Sequence, residues 1–149
     1  MTSLFLLSLL IILVILSGFL SGSETAITAT SKARILYKKK KGIKRAGYVL
    51  DLLDKKDNVI STLLLSNNLV NILASSLATA FFYDIFGVEG IFYATLIMTI
   101  VIVIFAEVLP KTYAINRPNR TALLISPIIF YLNKILFFFV FLINLIVKL

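Results

Sequence analysis

The chain has 149 residues, is 60% hydrophobic, and carries 15 Lys and Arg against 7 Asp and Glu, a net charge of +8. Its mean hydropathy of +1.02 excludes a soluble domain, since such domains are roughly half apolar and a fold this small has no means of covering the excess. It contains no cysteine and no histidine, which excludes disulfides, thiolate or imidazole metal sites, and Cys- or His-based catalysis.

An all-α integral membrane protein is therefore expected, and not an enzyme. The side chains left for binding present carboxylate, hydroxyl and amide oxygen, a set that suits Mg²⁺, Ca²⁺ or Na⁺ rather than zinc or copper.

The first apolar stretch, about residues 4–29, is long enough to cross a bilayer. No Lys or Arg precedes it and a basic block follows it, so it reads as an uncleaved span rather than a signal peptide. Between Ser31 and Asp57 lie ten basic residues, Lys32, Arg34, Lys38 to Lys41, Lys44, Arg45, Lys55 and Lys56. The positive-inside rule places this segment in the cytosol and the N-terminus outside. No aromatic interleaving or reading motif accompanies the charge, so nucleic acid is not the expected partner. Residues 31–57 read as polar helix under the membrane, interrupted at Gly42, with Tyr48, Val49, Leu50, Leu52 and Leu53 dipping into the headgroups.

A second span is expected over about 59–83, then a short outer loop with Asp84, Gly87, Glu89 and Gly90. The third span covers about 91–112, after which Lys111, Arg117 and Arg120 mark the cytosolic side. Residues 123–149 are apolar enough for a fourth span. Ser126, Asn133, Lys134, Asn144 and Lys148, however, fall within roughly 100° of a helical wheel. That stripe favours a membrane-surface belt, or a helix wrapped around the bundle, and a cytosolic C-terminus. The expected fold is thus three transmembrane helices plus juxtamembrane helices.

Polar residues inside the spans carry the functional reading. Glu107 lies three positions before Pro110 in a run of apolar residues. A carboxylate there costs roughly 2.5–3.5 kcal/mol on insertion scales, and Pro110 has no N–H for the carbonyl of Ala106. In the first span Ser17, Ser21, Glu24 and Thr28 share one face, and Gly18 and Gly22 form a small-xxx-small pair for close helix approach. Ser23 points away from that face unless Gly22 breaks the helix. Asn67, Asn68 and Asn71 cluster in the second span, serving either as interhelical glue or as ligands.

At ~1.5 Å per residue, Glu107, the Ser21–Glu24 segment and these asparagines all fall in the inner half of the bilayer. Ser hydroxyls, Asn or backbone carbonyls and one carboxylate then complete a compact oxygen shell around a small hard cation. Glu24 balances charge, binds a coupling Na⁺ or pairs with Lys111.

Three blocks, Leu20 to Ala26 (LSGSETA), Ser66 to Asn71 (SNNLVN) and Ala106 to Lys111 (AEVLPK), together resemble the transmembrane module of the CNNM/CorC magnesium transporters. Their order and spacing match over essentially the whole chain. The resemblance implies a plasma-membrane homodimer of three-span subunits, with a cytosolic belt, that exports Mg²⁺ by alternating access with Na⁺ influx. By motif it implies a metal site of Ser21, Ser23, Asn68, Asn71 and Glu107, with Gly22, Glu24, Asn67, Ala106, Pro110 and Lys111 as accessory or coupling-ion positions. It also implies cytosolic CBS domains elsewhere in a longer protein. The alternative from another class is a membrane-embedded Mg²⁺ sensor or scaffold that regulates a separate transporter.

Overall fold

The computed structural model describes residues 2–147, and every element in it is helical. In chain order these are α1 (Thr2–Ala29), α2 (Lys32–Lys40), α3 (Arg45–Asp54), α4 (Lys56–Phe86) and α5 (Glu89–Val101). A π-helical turn (Ile102–Val108), α6 (Leu109–Asn116) and α7 (Pro118–Val147) follow. Four stretches are long and apolar enough to cross a membrane: Leu4–Ala29, Lys56–Phe86, Glu89–Asn116 and Pro118–Leu142. The sequence reading counted three, and α7 is the additional one.

Large apolar side chains cover the outside of the bundle. Leu4, Ile15, Ile72, Phe92, Ile100, Phe105 and Phe138 are all exposed, as expected where the solvent is hydrocarbon rather than water. The helices therefore bury mainly small or polar residues against one another. Ala74, Ala78, Ala94, Ala106 and Ala114 are buried, as are Ser17, Ser21, Thr62 and Asn67.

Helix α1 is the hub. It runs antiparallel to α4, because Ser17 meets Asn67 and Asn71 while Lys56 Nζ donates to the Thr28 carbonyl at 3.1 Å. On its other side Gly18 and Gly22 lie against residues 105–110. The basic end of the bundle is closed by α2 and α3, which are separated at Gly42, whose φ is +83°.

Two sequence expectations change here. Val49, Leu50 and Leu52 are buried in a cluster with Ile27, Ile35, Ala122, Ile125 and Ile129, so they contact protein where lipid headgroups were expected. The polar stripe of α7 also faces protein. Ser126 is buried, its Oγ donating to the Leu123 carbonyl of its own helix at 3.2 Å with the Arg45 carbonyl at 3.4 Å, and Thr62 Oγ1 donates to Asn133 Oδ1 at 2.8 Å. Further along, Leu136 and Phe139 share an apolar cleft with Leu16 and Leu69. Helix α7 thus climbs beside α4 from the basic end, and this wraps it on the bundle. The side chain of Asn144, together with Lys148 and Leu149, lies outside the described residues.

Candidate functional site

The site is built where α1 passes between α4 and the π turn. Ser17 Oγ contacts Asn67 Oδ1 at 2.8 Å and Asn71 Oδ1 at 2.5 Å. A hydroxyl has one proton to give, so two amide oxygens share a single donor. The two carboxamides thus converge on one hydroxyl of α1, and this fixes both asparagines against it. Asn67 and Asn71 are one turn apart on α4, about 40° on the wheel, and both reach α1. Asn68 sits about 100° round from Asn67 and its side chain is exposed. The three asparagines do not converge.

On α1, Ser21 is one turn beyond Ser17 and adjacent to Gly22. It is fully buried, and its Oγ is the one buried side-chain polar atom among the described residues without a hydrogen-bond partner. The contrast with its neighbours is informative. Ser23, Thr25, Thr28 and Thr30 each donate to the carbonyl four residues back in α1. Ser21 does not, although that bond is open to any helical serine. An unsatisfied buried hydroxyl costs about 1–3 kcal/mol, so its retention calls for a ligand. Helix α1 is unbroken at Gly22. Ser23 consequently faces away from Ser21, buried, with its hydroxyl on the Phe19 carbonyl at 2.6 Å.

The third wall is Phe105–Pro110. A Cβ placed on Gly18 would lie 3.1 Å from the Phe105 carbonyl oxygen and 3.2 Å from Pro110 Cγ, and one on Gly22 would lie 3.2 Å from Pro110 Cβ. Glycine at both positions is what permits this approach. Around Glu107 the backbone is π-helical, with the Leu109 N–H bonded to the carbonyl of Ile104. In this i→i+5 register the carbonyl that would receive a bond from position 110 is Phe105's, not Ala106's. Proline has no N–H, so the oxygen left over belongs to Phe105 and faces Gly18. Ala106 itself is fully buried against Gly18.

Glu107 is half-buried. The one ion pair among the described residues is Lys32–Asp54 at 2.6 Å, so neither Glu107 nor Glu24 is neutralised by a base, and of the three alternatives for Glu24 the pair with Lys111 does not form. Glu24 and Lys111 are both partly exposed. No group of three or more His, Cys, Asp or Glu able to hold a metal occurs among the described residues. A cation here would rest on neutral oxygens and a single carboxylate. Such a site would be weak, and hard oxygens of this kind suit Mg²⁺ or Na⁺.

Sequence reasoning left two contributors out of the site, Ser17 and the Phe105 carbonyl. Ser17 was legible as one turn before Ser21 on the same face. The Phe105 oxygen was not, because it depends on the π register.

Comparison with known proteins identifies the family. The family profile "Cyclin M transmembrane N-terminal domain" matches residues 8–149. A UPF0053 protein of Haemophilus influenzae is 37% identical over 94% of this chain and 33% of its own length. The UPF0053 inner membrane protein YfjD of Escherichia coli is 40% identical over 80% of this chain and 31% of its own. A chloroplastic DUF21 domain-containing protein of Arabidopsis thaliana is 31% identical over 87% of this chain and 20% of its own. The chain thus spans a third or less of the length of these relatives.

Proposed function

The chain belongs to the cyclin M (CNNM) transmembrane domain family, and from that membership we propose that it is the ion-translocating module of a plasma-membrane Mg²⁺ exporter driven by Na⁺ influx. The observation that carries the proposal is the buried, unpartnered hydroxyl of Ser21, set between the polar Ser17–Asn67–Asn71 cluster and the π turn of Glu107. Glu107 supplies the charge. Ser21, Asn71 and the Phe105 carbonyl supply neutral oxygens, and Asn67 positions Asn71 through Ser17.

We place the N-terminus outside and the basic segment in the cytosol. Three helices cross the membrane, and α7 wraps the bundle from the cytosolic side. A homodimer is supported by Asn68 and Ser76, which are exposed within the α4 span of the single chain. Polar groups at that depth find partners on another helix, and a second copy provides one. From the family resemblance we also propose that cytosolic CBS domains regulate the module.

The test is Mg²⁺ flux from liposomes containing the purified chain, with imposed Na⁺ gradients. Na⁺-dependent flux that disappears in Glu107→Ala, with dimer and helicity retained, is the expected result. Mg²⁺ binding without flux would instead mark a sensor or scaffold. Undiminished flux in the variant would remove Glu107 from the site.

A further inference from the structure

Lys134 is the one charged residue between Thr121 and Val147, in an otherwise apolar helix. It follows Asn133, whose Oδ1 accepts from Thr62 of α4, so it stands beside the first turns of the α4 span. A lysine at that depth calls for an anion or a route to water. Among the described residues it has no ion pair.

Lys134 lines a cavity of about 310 Å³ between α3, the start of α4 and α7. Lys55 lines the same cavity, and Asp51 is its one carboxylate; two lysines against one aspartate leave it with a net charge of +1. Asn133 spends its Oδ1 on Thr62, so its remaining capacity is the N–H₂, a donor. The first turn of α4 contributes Asn58. The remaining lining is apolar: Leu52, Phe130 and Phe137. Phe137 is exposed, and so is the adjacent Phe138. A cavity that is cationic and donor-rich on one side and aromatic toward the lipid has the polarity of a phospholipid at its headgroup.

We propose that this cavity binds the phosphodiester headgroup of an anionic phospholipid from the leaflet on the basic side of the bundle. Lys55 and Lys134 meet the phosphate oxygens, the Asn133 amide donates to phosphate or glycerol oxygen, and the acyl chains leave past Phe137. A bound lipid bridges α3, α4 and α7 and ties the wrapped helix to the bundle. Basic recesses between membrane helices recognise lipid headgroups through this chemistry. Free phosphate would satisfy the lysines yet leave the aromatic wall unmatched. A zwitterionic headgroup would bring its ammonium into a cavity that is already positive.

Native mass spectrometry of the purified chain in micelles with equal phosphatidylglycerol, phosphatidylethanolamine and phosphatidylcholine tests this independently of transport. Phosphatidylglycerol should be retained roughly ten-fold more often than either zwitterionic lipid. Lys55→Gln with Lys134→Gln should abolish that preference, Lys134→Arg should keep it, and Asp51→Asn should strengthen it. The substituted side chains are all exposed, and circular dichroism checks that the variants keep their helices. Equal retention of the three lipids, or an unchanged preference in the double glutamine variant, would overturn the proposal. Displacement of bound lipid by millimolar glycerol phosphate would also overturn it, since the site would then serve a soluble phosphate.

Discussion

Replacing Ser21 by alanine should stabilise the ion-free protein and weaken its response to Mg²⁺. The hydroxyl is fully buried and has no partner, so in the absence of an ion it carries the desolvation cost of an unmade hydrogen bond, about 1–3 kcal/mol. Removing one oxygen leaves a void of order 10 Å³, which costs only about 0.2–0.3 kcal/mol at the usual cavity slope. The net gain is about 0.7–2.8 kcal/mol, and for a chain of this length each kcal/mol moves Tm by about 2–4 °C. Against that, Mg²⁺ at a hundred-fold excess over its Kd stabilises the native state by about 2.7 kcal/mol. Ser21→Ala should lose most of this increment. The assay is thermal unfolding in detergent with and without Mg²⁺, where the two melting curves should start higher and separate less. An ion-free variant that melts below the parent would mean that the hydroxyl already has a partner. An unchanged Mg²⁺ increment would mean that it is no ligand.

Other substitutions separate packing from ion binding. Asn67→Ala removes one of two acceptors of a buried hydroxyl and should cost about 1 kcal/mol, whereas Asn68→Ala, at an exposed position, should change stability by less than about 0.5 kcal/mol; chemical denaturation distinguishes them. Gly18→Ala brings a methyl to 3.1 Å from the Phe105 carbonyl and 3.2 Å from Pro110. The strain, about 1–3 kcal/mol, should exceed the roughly 0.5–1 kcal/mol gained in helix propensity, so a lowered Tm is expected and a raised one would show that the helices separate freely. Pro110→Ala restores an N–H for the carbonyl it faces. Mg²⁺ binding with slowed flux is expected, and an unaltered flux rate would argue against register change in this helix.

What the sequence made legible, and what it hid, divides along a physical line. Hydropathy located α1, α4 and the third span because length and apolarity are local properties. The small-xxx-small pair at Gly18 and Gly22 predicted a close approach, and both glycines do face another helix across short distances. A helical wheel identifies which side of a helix is polar but not what covers that side. The stripe on α7 suggested a surface belt, yet Asn133 accepts from Thr62 of α4 and Ser126 is buried beside the Arg45 carbonyl. The same limit governs the asparagines. A sector of about 120° holds all three, but α1 is in reach of Asn67 and Asn71 alone. Ser23 followed the geometry of an unbroken helix rather than the motif, and Glu24 found no partner in Lys111.

The π turn gives Pro110 a role beyond that of a helix breaker. In any helical register one carbonyl must face position 110 and receive no bond from it. With i→i+4 bonding that carbonyl is Ala106's, and with the observed i→i+5 bonding it is Phe105's. Adjacent residues are about 100° apart on the helix, so a change of register would move the carbonyl opposite Pro110 round the helix. The proline has already removed one of the bonds that a π turn would otherwise misplace. The oxygen facing Gly18 is present in one register and withdrawn in the other, immediately beside Glu107. The proposed transport function would require two arrangements of nearly equal energy, and Glu107 lies within the π turn where a second register would be reached.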